Sequence, residues 1–239
     1  MDILEAIEAY NNRNGVTLEF KALLSDMDGV LYNSMPFHAK AWAETMQAEG
    51  VECEAREFYA HEGRTGKGTI NIYFNKYKNR EATEEEIQRI YAEKARRFVE
   101  CGEAHPMRGA QEALQMIKGA GKTIVLVTGS GQKSLLQKLT QHYPNIFTPQ
   151  TMVTAYDVVK GKPNPEPYLM GLQKAGVRNF EAIVLENAPL GVEAGRAAGI
   201  FTIAVNTGPL AEEELYEAGA DIVYPDVETF TNEIKRILK

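Results

Sequence analysis

The chain has 239 residues, 44% of them hydrophobic and 25% charged, an ordinary globular composition with room for one large domain or two unequal ones. The formal net charge is −7 and no long block of Lys or Arg occurs, which argues against nucleic acid and anionic membranes as partners. No long charge-free apolar run is present, so no transmembrane helix is expected; the acidic start MDILEAIEAYNNRNG lacks the basic stretch of a signal peptide, and Cys53 and Cys101 have no metal-type spacing, so the expectation is a cytoplasmic protein with reduced thiols.

Residues 2–13 have Ile3, Leu4, Ile7 and Tyr10 at helical spacing, and Gly15 follows as a stop, which predicts a short amphipathic helix lying outside the core. The stretch KALLSDMDGVLYNS at 21–34 then runs from Ala22-Leu23-Leu24 into Asp26, Asp28 and Gly29. An apolar run feeding acids and a glycine reads as a buried strand ending in a functional loop. Two carboxylates at one strand end repel each other, an objection that a Mg²⁺ between them removes. From Met35 to about Glu103 the pattern is helical throughout. FHAKAWAETMQAEG is a helix stopped by Gly50, and Glu54–Ala60 is a second. HEGRTGKGT is a Gly-rich polar loop, and two helices follow it, the last opening at Thr83 with Glu86 three residues on.

After His105-Pro106 strands and helices alternate: KTIVLVTGSG, MVTAYDVV, AIVLENAPLG, FTIAVNTG and DIVYP read as strands with their following loops, separated by helical segments. That alternation predicts a doubly wound parallel α/β sheet. The strand ends and their loops carry Asp26/Asp28, Thr128-Gly129-Ser130, Lys162 and Glu186-Asn187. Together they supply anionic ligands, a hydroxyl with backbone N–H groups, and a fixed cation, the parts that hold a phosphoryl group with a metal.

In DMDGVLYNS, VTGS, KGKPNPEPY and ENAPLGVEAGRAAG, taken in that order, the chain resembles the haloacid dehalogenase (HAD) superfamily, over about Lys21 to Asp226. The helical insert resembles that family's C1 cap, and the nearest subfamily is the β-phosphoglucomutase-like phosphatases. The resemblance implies a HAD-like doubly wound sheet with a Rossmann-like core over residues 1–34 and 104–239, the first 20 residues forming a helical extension, and an all-helical cap over 35–103. It implies Asp26 as nucleophile, Asp28 as general acid and base, and Thr128 and the Gly129 N–H, with Ser130 beside them, on the phosphoryl oxygens. Lys162 would pair with both the phosphate and Asp26. Mg²⁺ would be held by the Asp26 carboxylate, the Asp28 carbonyl and Asn187, with Glu186 nearby. The family most often has Glu-Asp where this chain has Glu186-Asn187, which removes one negative charge.

In the insert, His38 and Lys94 match a hinge-side His and a cap Lys of the mutases. The mutases' loop Lys corresponds to Glu62 and their phosphate-clamping Arg to Gly66, with Arg64 and Lys67 close enough to substitute in part. The loop is no P-loop, because GRTGKGT lacks that spacing and follows no strand. A small site with Glu62, Lys94 and His38, in which Glu62 engages a metal-bound water or pairs with Lys94, suits a compact substrate. HEGRTG and ENAPLG look like those of a branch that hydrolyses inorganic pyrophosphate. The expectation is therefore a monomeric Mg²⁺-dependent phosphohydrolase on a small phosphorylated substrate, pyrophosphate first. β-Phosphoglucomutase and a broad sugar-phosphate phosphatase are the alternatives, and a binding module that has lost turnover is a further class.

Overall fold

A computed structural model describes residues 2–238; positions 1 and 239, the outer limits of the expected core, lie outside the described residues. Six short strands, β1 (Ala22–Ser25), β2 (Thr123–Val127), β3 (Met152–Val153), β4 (Ala182–Glu186), β5 (Phe201–Val205) and β6 (Ile222–Tyr224), pair in parallel in the order β3-β2-β1-β4-β5-β6. Their side chains alternate between two cores. Leu23, Ile124, Leu126, Ile183 and Leu185 enter one hydrophobic cluster, and Ala22, Leu24, Val125, Val127 and Val184 enter another on the opposite face. Strands buried on both faces read as continuous apolar runs, which is why the sequence pattern was strong. Leu24 lies opposite both Val125 and Val184, so β1 is the strand from which the order runs outward in both directions. The carboxyl end of that strand is where an open α/β sheet forms its ligand crevice.

The helices are α1 (Ile3–Asn14), α2 (Met35–Ala48), α3 (Gly66–Lys78), α4 (Glu84–Glu100), α5 (Ala110–Gly119), α6 (Lys133–His142), α7 (Glu166–Ala175), α8 (Pro189–Ala197), α9 (Glu212–Glu217) and α10 (Val227–Ile234). Between β1 and β2 the helices α2, α3 and α4 enclose a cluster of their own, with Trp42, Met46, Phe58, Ile70, Tyr73, Phe74 and Ile90 buried in it. The chain leaves and re-enters the sheet layer side by side: the Asn33 N–H donates to the His105 carbonyl at 2.9 Å, and Tyr32 bridges Pro106.

Several local expectations need correction. Helix α1 is part of the main core, because Ile3, Ala6 and Tyr10 are buried there and the Tyr10 hydroxyl donates to the Gly199 carbonyl at 2.8 Å. Leu4, expected on its apolar face, is half exposed, since helical spacing puts Ala6 inward instead. Glu54–Ala60 is a 3₁₀ turn spanning Ala55–His61 rather than an α-helix. The polar loop is shorter than expected: Thr65 caps α3 by accepting from the Gly68 N–H at 3.2 Å, so Gly66 to Thr69 are helical.

Candidate active site

The Asp26 N–H donates to the Leu185 carbonyl at 2.9 Å, which continues the β1–β4 ladder by one rung and points the chain end between β2 and β4. Its carboxylate accepts from Lys162 Nζ at 2.5 Å, and the same ammonium donates to Glu186 Oε1 at 2.6 Å and to the Val127 carbonyl at 2.9 Å. Glu186 Oε1 also accepts from the Tyr168 hydroxyl at 2.6 Å, and its Oε2 accepts from the Asn187 N–H at 3.1 Å. Gly191 is required here, because a Cβ at that position would lie 1.9 Å from Glu186 Oε1. Burial pushes the Asp26 carboxyl upward, Lys162 opposes that, and Glu186 and Asp28 add to it. Lys162 stays protonated: burial works against its charge, but Asp26 and Glu186 outweigh it.

Asp28 sits two residues on, where Gly29 turns the chain at φ +78° with Asn187 pressed against it. Asp28 Oδ1 accepts from the Ser34 hydroxyl at 2.5 Å and meets His38 Nε2 at 2.9 Å, and His38 Nδ1 meets Lys94 Nζ at 2.6 Å. Burial alone would raise the Asp28 carboxyl, but His38, Ser34 and Lys94 together hold it below the usual carboxylate range. Burial lowers His38, with Lys94 acting the same way, and burial brings Lys94 down to about 7. The protonation states follow: an ionised Asp28 takes the Nε2–H of a neutral His38, whose Nδ1 then accepts from Lys94. Trp42, Phe98 and Tyr91 surround the Lys94 ammonium with ring centroids at 5.3, 5.3 and 5.7 Å.

Glu62 is also buried, and its Oε1 accepts from Asn187 Nδ2 at 2.8 Å. Burial raises its carboxyl well above the ordinary range, Asn187 opposing and Asp26, Asp28 and Glu186 adding. Of the two parts offered to Glu62, the pair with Lys94 does not form: Lys94 is engaged by His38, and Glu62 reaches the core. Lys67 does not stand in for the missing Arg either, because it pairs with Glu84 on the surface. The ring of Tyr91 comes within 2.3 Å of where a Cβ on Gly66 would sit, so α4 fills the position that an Arg side chain would need. The Gly131 N–H donates to the Tyr91 hydroxyl at 3.0 Å. Thr128 Oγ1 accepts from the Ser130 N–H at 3.0 Å, which folds the loop after β2 back on itself. Gly129 meets the Gly63 carbonyl so closely that a Cβ would lie 2.1 Å from its oxygen.

Asp26, Asp28, His38, Glu62, Arg64, Tyr91, Lys94, Thr128, Gly129 and Ser130 thus line one cavity of about 50 Å³. Lys162, Glu186 and Asn187 stand directly behind Asp26 and Glu62. Sequence reasoning assigned no part to Ser34, Tyr91 or Tyr168. Tyr91 was within reach, since it precedes Lys94 by one helical turn on α4 and so shares its face. Among the described residues no group of three or more His, Cys, Asp or Glu side chains converges as a metal site. The donors still fit one hard divalent cation. Asn187 Oδ1 is buried with no hydrogen-bond partner, and four buried carboxylates, Asp26, Asp28, Glu62 and Glu186, stand against two buried lysines. Glu186 is occupied by Lys162 and Tyr168, which sets it behind the others as a ligand.

A family model described as haloacid dehalogenase-like hydrolase matches residues 23–205. A solved chain from Bacteroides vulgatus, provisionally described as a beta-phosphoglucomutase, is 49% identical with a TM-score of 0.94, covering 98% of this chain and 95% of that one. Hexitol phosphatase A of Escherichia coli is 30% identical over 216 residues, 88% of this chain and 93% of the relative. The phosphorylated carbohydrates phosphatase of Thermotoga maritima is 29% identical over 226 residues, 91% of this chain and all of the relative.

Proposed function

Since the chain belongs to the haloacid dehalogenase-like hydrolase family and is an enzyme of phosphate-ester chemistry, we propose that it is a phosphohydrolase for a small substrate, inorganic pyrophosphate first, working through a phosphorylated Asp26. Asp26 attacks phosphorus, and the leaving oxygen departs toward Asp28. Lys162 lies against the attacking carboxylate, where its charge offsets that of the phosphoryl oxygens, and the Thr128–Gly129 turn meets those oxygens from the other side. An anionic group facing Asp28 raises its carboxyl, so Asp28 arrives protonated in the first half and can take a proton from water in the second. His38 and Lys94 keep that carboxyl aimed. A divalent cation, magnesium in this family, would be held by the Asp26 carboxylate, the Asp28 carbonyl and Asn187 Oδ1, and would supply charge neutralisation. Residues 35–103 would act as the cap that shuts this cavity against water.

The observation that carries the compact-substrate reading is the small volume, about 50 Å³, of the cavity lined by Glu62 and Tyr91. It has room for a few water molecules, which suits an inorganic anion better than a hexose ring. The Arg with which the mutases clamp a second phosphate is Gly66 here, and the Tyr91 ring fills its space, which argues against the mutase. A sugar-phosphate phosphatase is the second reading, favoured by the carbohydrate substrates named for the Escherichia coli and Thermotoga maritima relatives; it requires the cap to stay further open. The test is a panel of pyrophosphate, β-glucose 1-phosphate and a hexitol phosphate ranked by kcat/KM with Mg²⁺. Pyrophosphate should lead by roughly tenfold or more, the worth of one charge-assisted contact. A hexitol phosphate in first place moves the assignment to the second reading.

A further inference from the structure

Close packing lines the α3 side of the cavity. The Gly63 carbonyl presses on Gly129, and Thr65 presses on Gly161, where a Cβ would lie 2.8 Å from Thr65 Cγ2. Outside this wall runs an open groove of about 590 Å³, bordered by Thr65, Lys67, Val159, Gly161 and Pro163. Arg64 alone lines both the inner cavity and the outer groove.

Its side chain has no partner. Nε is buried and unpaired, and among the described residues the guanidinium makes neither a hydrogen bond nor an ion pair. Burial lowers its pKa, and the only charge that opposes this is Glu193 on α8, beyond ion-pair distance. A part-buried guanidinium with free donors is a costly arrangement unless an anion visits it, and its planar fork matches a phosphate. His61 accepts the Arg64 backbone N–H through its carbonyl, lines the same cavity, and leaves its own buried Nδ1 unpaired.

We propose that Arg64 is a phosphate-transfer site in the wall of the cavity, binding inorganic phosphate on its way between Asp26 and the outer groove. This rests on the phosphohydrolase reading but not on pyrophosphate, because every phosphatase releases the same product. Phosphate leaving Asp26 exchanges the Thr128 loop and Lys162 for the inner edge of the guanidinium, and the outer edge hands it to solvent. Glu193 is the counterweight that keeps the anion from staying.

The experiment measures inhibition by inorganic phosphate with p-nitrophenyl phosphate as substrate, and phosphate binding by calorimetry, for R64Q, R64K and E193Q. Losing the charged donor in R64Q should raise the inhibition constant and the dissociation constant roughly tenfold. R64K should recover most of that loss, which a merely structural role would not produce, and E193Q should tighten phosphate about two- to fivefold. Unchanged phosphate binding in R64Q, or weaker binding in E193Q, overturns the proposal. Absence of p-nitrophenyl phosphate hydrolysis in the native enzyme would instead refute the phosphohydrolase reading, and calorimetry would still judge Arg64.

Discussion

Replacing Lys94 by methionine should make the protein more stable and less active, and the pH at which stability is measured decides the sign. The side chain is fully buried, and its pKa falls from 10.5 to about 7. At 1.36 kcal/mol per unit, carrying that group costs the native state on the order of 5 kcal/mol at pH 6. Because the folded value lies below the unfolded one, the unfolded chain binds more protons across the interval from about 7 to 10.5, so native stability rises with pH there and the penalty is gone above it. Methionine keeps the apolar stem among Trp42, Tyr91 and Phe98 but orphans His38 Nδ1, at a cost of about 1–3 kcal/mol. The net expectation is a gain of about 2–4 kcal/mol at pH 6, turning into a loss of about 1–3 kcal/mol near pH 10.5. Urea unfolding at both pH values measures it. With the ammonium gone, His38 is free to tilt away from Asp28, and kcat/KM for pyrophosphate should fall by roughly tenfold or more. A variant that is less stable than the native protein at pH 6, or equally shifted at both pH values, refutes the assignment of Lys94 as a buried amine held for function.

Asp26→Asn should lower kcat by about four decades or more while raising the urea midpoint, since a buried acid is removed; near-normal turnover would exclude Asp26 as the nucleophile. Excess EDTA should abolish hydrolysis, and calorimetric titration with Mg²⁺ should show Asn187→Asp tighter and Glu62→Gln weaker than native; identical titrations would remove both side chains from the cation site. Gly66→Arg should bring no mutase activity and should depress pyrophosphate hydrolysis by driving the Tyr91 ring off Gly131, an effect that Tyr91→Ala in the same chain should partly relieve. If Gly66→Arg alone interconverts β-glucose 1-phosphate and glucose 6-phosphate, Tyr91 is not what fills that space.

The sheet was legible because its strands are buried on both faces and punctuated by Gly, Thr and Asp at their ends; the alternation of Leu23 with Leu24, or Ile124 with Val125, sorts them between two cores without changing the apolar pattern. Helix α1 was misjudged for a physical reason. Periodicity finds a face but not what it packs on, and the burial of Ile3 and Tyr10 depends on β5 and on the chain after α8, far away in sequence. Ala55–His61 has the composition of a helix, yet it spans only the gap between α2 and α3, where a tighter turn suffices. The residues of the site were legible as types at strand ends. Their pairing was not: the sequence offered Glu62 to Lys94, and only the packing of α4 against α2 puts Lys94 on His38 instead.

The two departures that looked independent in the sequence, an Asn where relatives carry Asp and a Glu where the mutases carry Lys, turn out to be hydrogen-bonded neighbours at 2.8 Å. Their charges are exchanged: a negative charge has left residue 187 on the core and reappeared at residue 62 on the helical insert. Against the mutase pattern of Asp with Lys the crevice gains one negative charge, and that charge sits on the insert, since Glu62 reaches Asn187 only when the insert lies against the sheet. Any cation that gains from Glu62 therefore favours the closed arrangement by the same free energy that closure lends to its binding. The same exchange removes the positive charge that would greet a second phosphate from above. One pair of substitutions thus acts on closure, on cation affinity and on substrate choice together, and replacing Glu62 alone should disturb all three while Asn187→Asp, left facing an intact Glu62, opposes closure by placing two carboxylates in contact.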